Sequence, residues 1–111
     1  MNIAIKATHL DLTPSIKQYV EEKVAHLGKF IVAQEGKVEL SRDQHHHTGE
    51  VFRAEIMLAM GGKLMRAVAE AEDIYAAIDL TIPKLKEQIA KFKDKKTTVN
   101  RSLARKARRK V

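Results

Sequence analysis

The sequence predicts an α+β fold of order β-α-β-β-β-α, a four-stranded mixed sheet with two helices packed on one face. Three observations carry this. Apolar and polar residues alternate over residues 2–8 and again through Phe52, Ala54, Ile56, Leu58 and Met60, the period of half-buried strands. Apolar residues recur at helical spacing through Ile16, Val20, Val24 and Leu27, and later through Ile74, Ile78, Ile82, Leu85, Ile89 and Phe92. Gly61-Gly62 separates two alternating runs as a two-residue hairpin turn does. Strands that are apolar on one side only need a single covering layer, so both helices belong on the same face.

In chain order, the first strand turns Ile3, Ile5 and Ala7 to one side. Thr13 then supplies a capping hydroxyl and Pro14 a pre-set first helical residue. Gly28 is placed to end that helix in the left-handed conformation. A second strand runs through Val38 and Leu40. Because a helix connects them, strands one and two are expected to be parallel with a right-handed crossover, and strands two to four to form an antiparallel meander. Asp43 to Gly49 reads as a polar loop with three histidines. On the fourth strand, Lys63 to Glu70, the residues Met65, Ala67 and Ala69 share a face, and the two alanines let a helix approach closely. Asp73 caps the second helix, with Glu70 and Glu72 near the positive end of its dipole. Pro83 removes one backbone hydrogen bond and is expected to kink or split that helix. Residues 97–111 lose the apolar period and hold six basic and no acidic residues, which reads as a disordered basic tail behind a domain of residues 1–96.

Composition narrows the function. A chain of 111 residues fits one domain. No cysteine is present, which removes disulfides, thiolate zinc sites and cysteine nucleophiles and fits a reducing cytoplasm. There is no apolar run of membrane-spanning length, and the start of the chain lacks the pattern of a signal peptide, so a cytoplasmic protein without a membrane partner is expected. Charge is unevenly spread. Residues 1–83 hold nine Lys/Arg and twelve Asp/Glu, a net of −3, whereas residues 84–111 hold twelve and two, a net of +10. Such a concentration suits a polyanion, because neutralising phosphates releases counterions.

Projected at 100° per residue, the second helix sets Lys84, Gln88, Lys91 and Lys95 on one flank of its apolar stripe. Lys86 and Lys93 fall on the other flank near Tyr75, and Asp79, Glu87 and Asp94 toward the back. A merely solubilising helix mixes signs by i,i+4 pairing, whereas segregated lysines offer flexible point charges to phosphates. On the first helix Tyr19, Lys23 and His26 share a flank, and Lys29 follows its end. Lys23 is also placed to snorkel beside the core. Tyr19 and Tyr75 have the chemistry to stack on bases, though edge-of-core packing is the commoner use of such rings. The tail adds Arg101, Arg105, Lys106, Arg108, Arg109 and Lys110. His45, His46 and His47 point in alternating directions if extended and lack a carboxylate cage, so they read as a solvated loop, and no metal or cofactor is expected. Ser15, Ser41 and Ser102 sit in no nucleophile elbow and there is no glycine-rich phosphate loop, so no enzyme is expected.

These residues resemble the ribosome hibernation promoting factor and ribosome-associated inhibitor A (protein Y) family, in its short form. The likeness covers residues 1 to about 96. It is carried by Leu12-Thr13-Pro14 with Ile16 and Val20, by Leu27 to Phe30, and above all by the run AEDIYAAIDLTIPKLKEQIAKFKDK from Ala71 to Lys95. The resemblance implies binding to the small ribosomal subunit and the intact ribosome, in the channel of messenger and transfer RNA. It further implies contact with ribosomal RNA through basic helix residues, and inhibition of translation by steric exclusion during stress or stationary phase. Carried over by motif position, that role falls on Lys29, Lys84, Gln88, Lys91, Lys93 and Lys95, and more weakly on Lys23 and His26. With Lys86, Lys96, Arg101 and Arg105 these form the candidate RNA-binding set. Glu87 stands where relatives usually carry a basic residue, and Pro83 is unusual within the helix. Long members add a C-terminal dimerisation domain. Ending at Val111, this chain is expected to lack one and to act as a monomer.

Two other readings compete. A meander followed by a helix resembles the double-stranded-RNA-binding domain, which makes a generic structured-RNA or double-stranded-RNA binder the alternative. Such domains usually carry lysines at the start of the last helix, which is acidic here. A membrane-surface protein would use the basic amphipathic end, but the chain has no tryptophan to anchor it.

Overall fold

The structure, a computed structural model, describes residues 2–28, 35–43 and 51–109, with side chains as far as Phe92. The elements are β1 (Asn2–Thr8), α1 (Pro14–Leu27), β2 (Glu35–Arg42), β3 (Phe52–Met60), β4 (Lys63–Ala71) and α2 (Ile74–Arg109). Sheet order is β1-β2-β3-β4. β1 runs parallel to β2, as a helical connection demands, and the remaining pairs are antiparallel. The register places Ile5 beside Val38, Val38 beside Ile56 and Ile56 beside Ala67, so one row of apolar side chains crosses all four strands. The expected α+β architecture is the observed one.

Local chemistry sets the element ends. Thr13 has an extended backbone and its Oγ1 accepts from the Ile16 N–H at 3.2 Å, with Pro14 following in the first turn. Asp73 Oδ1 accepts from the Ala76 N–H at 2.9 Å at the start of α2. Gly61 and Gly62 have φ of 53° and 79°, the pair of positive values that a type I′ hairpin needs. Gly28 departs from expectation. Its φ of −61° and ψ of −16° are right-handed, and its N–H donates to the carbonyls of both Val24 and Ala25 at 3.1 Å. A shared bond of this kind closes the last turn without a left-handed residue. Asp43 N–H donates to the Val51 carbonyl at 2.7 Å, which joins the two ends of the histidine segment. His45, His46 and His47 themselves lie outside the described residues.

The core lies between the sheet and the helices. Val20, Val24 and Leu27 of α1, Val38, Ile56, Leu58 and Met65 of the sheet, and Ile78 and Leu85 of α2 are fully buried in one cluster. α2 lies across β3 and β4, where Ala54, Ala67, Ala69 and Ala71 keep the sheet surface low, and α1 packs beside α2. Pro83 does not split α2, which continues through it. The reason is packing: Ile78, Ile82, Leu85 and Ile89 stay in phase on both sides of the proline and are all buried. Each contributes about 1.5–3 kcal/mol, which outweighs the ~3 kcal/mol cost of an interior proline. Pro83 itself is exposed, and the buried Thr81 beside it donates its hydroxyl to the Ile78 carbonyl at 2.6 Å. The helix also runs past residue 96, where the loss of apolar period marks a tail in sequence. No glycine or proline follows Pro83, and the segment is rich in good helix formers, so the backbone is helical to Arg109.

Candidate nucleic-acid interface

α2 exposes two flanks on either side of its buried stripe. The first lies over β4, an edge strand whose outward N–H and C=O groups have no neighbouring strand. Gln88 fills part of that gap. Its Oε1 accepts from the Arg66 N–H at 3.2 Å and its Nε2 donates to the Arg66 carbonyl at 2.7 Å. Lys84, one turn earlier, donates Nζ to the Val68 carbonyl at 2.7 Å. Lys91, one turn further on, is well exposed and pairs with Glu87 at 3.1 Å. An exposed i,i+4 pair is worth a few tenths of a kcal/mol, so Glu87 holds the Lys91 ammonium only weakly. The hairpin supplies a cation that sequence reading did not single out: Lys63 Nζ stands 5.5 Å above the Phe92 ring. The packing of α2 across β4 brings these two residues together.

The second flank faces α1. Tyr19 of α1 donates its hydroxyl to Asp79 Oδ1, and Lys23 Nζ lies 3.6 Å from the same oxygen and 5.3 Å from the Tyr19 ring centroid. Tyr19 and Tyr75 meet edge to face with centroids 5.0 Å apart. The hydrogen bond to Asp79 pushes the Tyr19 hydroxyl up to about 12, with burial and the carboxylate charges adding to it, so Tyr19 stays neutral at physiological pH. Asp79 therefore does not lie toward the back of α2, as its projected angle suggests. It turns to α1 because a tyrosine and a lysine are there to receive it. The two rings pack on each other and tie the helices together. Lys86, two turns after Asp79, occupies the same flank, and His26 is exposed in the last turn of α1.

The sheet face away from the helices holds a third cluster. Glu55 is only 5% exposed there, covered by its neighbours' side chains rather than sunk in the core. One of its oxygens accepts from Arg66 Nη2 at 2.9 Å and from Arg53 Nη2 at 3.1 Å. The Arg66 hydrogen bond, helped by both guanidinium charges, outweighs burial and holds the Glu55 carboxyl below its usual range.

Of the candidate set, the structure thus brings Lys84, Gln88 and Lys91 together on the β4 flank and Lys23 and Lys86 toward the α1 side. Lys29 lies outside the described residues, as do the side chains of Lys93, Lys95, Lys96, Arg101 and Arg105. Among the described residues no group of three or more His, Asp or Glu is arranged to hold a metal ion, and no helix is long and apolar enough to cross a membrane.

Comparison with known proteins agrees with this architecture. The family model described as Sigma 54 modulation protein / S30EA ribosomal protein matches residues 3–97. A ribosome hibernation promotion factor of Bacillus subtilis is 30% identical over 91% of this chain, which spans only 51% of that relative's length. The ribosome hibernation promoting factor of Azotobacter vinelandii is 35% identical, over 86% of this chain and 85% of its own. Among solved structures, the N-terminal domain of Thermus thermophilus Protein Y superposes with a TM-score of 0.70 at 35% identity, covering 83% of this chain and 99% of that one. A match over nearly the whole folded part, in sequence and in fold alike, means that the chain belongs to the Sigma 54 modulation protein / S30EA ribosomal protein family.

Proposed function

We propose that this protein is a ribosome hibernation factor. It binds the small ribosomal subunit in the channel of messenger and transfer RNA and contacts ribosomal RNA through basic residues of its helices. It blocks translation by filling that space during stress or stationary phase. The observation that carries this reading is the division of charge, a net of −3 over residues 1–83 against +10 over residues 84–111, joined to a family whose named relatives are hibernation factors. A helix with lysines on two flanks suits a phosphate-lined cleft, because flexible ammonium groups follow a backbone without reading bases. Residues 1–96 serve as the ribosome-binding domain, and the basic residues 97–111 extend its reach along RNA. The protein works as a monomer in the cytoplasm, on the small subunit and on intact ribosomes, and performs no catalysis.

Occupancy makes a direct prediction. The purified protein co-sediments with ribosomes and inhibits translation in a cell-free system, and excess messenger or initiator transfer RNA relieves both effects by competition. Inhibition indifferent to both RNAs rules out steric exclusion. Failure to sediment with ribosomes at low salt rules out the whole reading.

A further inference from the structure

We infer that Lys84 and Gln88, which the family resemblance assigns to RNA contact, are positioning residues that clamp α2 to the edge of the sheet. The phosphate contacts on that flank begin only at Lys91. This deepens the proposed function and rests on it. As an edge strand, β4 turns the N–H and C=O of Arg66 and the C=O of Val68 away from β3. Three bonds from α2 meet those three groups: two from Gln88 to Arg66 and one from Lys84 to the Val68 carbonyl. Gln88 thereby copies the donor–acceptor pair that a neighbouring strand would offer, and at Arg66 and Val68 α2 occupies the groups that another strand would pair with. Lys84 Nζ at 2.7 Å from a carbonyl has one of its donors already committed, and its stem is drawn along the sheet rather than outward.

The consequence concerns geometry. The two residues are four apart and fix the rotation of α2 about its own axis. Lys91, seven residues after Lys84, falls on the same flank, and among the described residues it pairs along its own helix with Glu87 rather than with the sheet. Holding 84 and 88 against β4 thus determines where the lysine at 91 is presented. Arg66 is itself tied on its other side, its guanidinium on Glu55 and its main chain on Gln88. The anchor for the helix is thereby rigid.

The test measures the salt dependence of ribosome binding for the wild type and for Lys84→Met, Gln88→Met and Lys91→Met, well below their unfolding temperatures, together with amide hydrogen exchange of the free proteins. Lys91→Met is expected to lower the log–log salt slope by about one unit, the loss of one phosphate contact. Lys84→Met and Gln88→Met are expected to leave the slope unchanged while affinity falls roughly 3- to 10-fold, the scale of one lost hydrogen bond. Loss of stability alone does not change the affinity of a protein that remains folded. In Gln88→Met the Arg66 amide is expected to exchange about 10-fold faster, having lost its acceptor. Lys84→Gln, an uncharged donor one atom shorter, is expected to recover part of the affinity that Lys84→Met loses. A slope drop in Lys84→Met equal to that of Lys91→Met overturns the inference, as does unchanged Arg66 protection in Gln88→Met. If the wild type binds no ribosome, the proposed function fails, while the exchange measurement still decides whether the clamp exists.

Discussion

Glu55 holds two guanidinium groups on one carboxylate oxygen, and little of its side chain meets water. Glu39 stands directly opposite it in register, and Lys37 Nζ, 3.5 Å from Glu39 Oε1, offsets that second carboxylate. Replacing Glu55 by Gln keeps the shape and removes the charge. Two charge-assisted bonds weaken and the cross-strand repulsion with Glu39 disappears, the first effect being the larger because Glu55 is the better covered of the two acids. Glu55→Gln is expected to lower Tm by roughly 4–8 °C at neutral pH. The sign of its pH dependence follows from linkage. The folded-state carboxyl titrates below its ordinary value of 4.5, so its contribution is complete above that value and is lost as pH falls through the lower, folded one. The gap between wild type and Glu55→Gln should therefore shrink on acidification below about 4.5, which thermal melts across acid pH will read. Nothing in the sequence marks Glu55 as special. Alternation assigns it to the outer face, and only the register that brings Arg66 beside it explains why an outer-face acid is buried.

At the scale of elements, what the sequence made legible and what it did not divide along a physical line. Thr13, Asp73 and Gly61-Gly62 act within a few residues of themselves, and their roles as caps and turn follow from local chemistry. Gly28 also carries a local signal, but the bifurcated bond to Val24 and Ala25 satisfies the helix end in another way. The flank lysines were legible as a group and not as individuals. A projection shows that Lys84 and Gln88 border the buried stripe, and a border position on a helix above an edge strand meets unpaired carbonyls before it meets solvent. Pro83 is the case where tertiary packing overrides propensity. With the helix continuous through it, Pro83→Ala should restore a backbone hydrogen bond and remove the clash of the ring with the preceding turn. About 3 kcal/mol is recovered, less the roughly 1 kcal/mol by which proline restrains the unfolded chain, for a net gain of about 2 kcal/mol in chemical denaturation. A loss of stability instead would mean that the buried stripe depends on the local backbone geometry that the proline sets.

The molecule as a whole is electrically polar along its chain, a mildly acidic domain drawn out into a strongly basic helical end. Such a charge distribution acts before contact, since the field of the basic end turns the protein toward a polyanion as it approaches. Long-range steering and close-range phosphate binding leave different signatures. Removing residues 97–111 takes away six positive charges and leaves residues 84–96 with their own six. If the terminal residues bind phosphates as proposed, the truncated chain should show a shallower salt slope, by about one unit for each phosphate it no longer neutralises and so up to roughly six units in all. If they only steer, the association rate at low salt should fall about 10-fold or more while the dissociation rate stays as it was. Stopped-flow association together with dissociation measured at several salt concentrations separates the two outcomes. Because the core cluster ends at Ile89 with Phe92 packed against it, the cut falls beyond every described core residue. Tm should therefore be unchanged, and any loss of ribosome binding belongs to the charges and not to the fold.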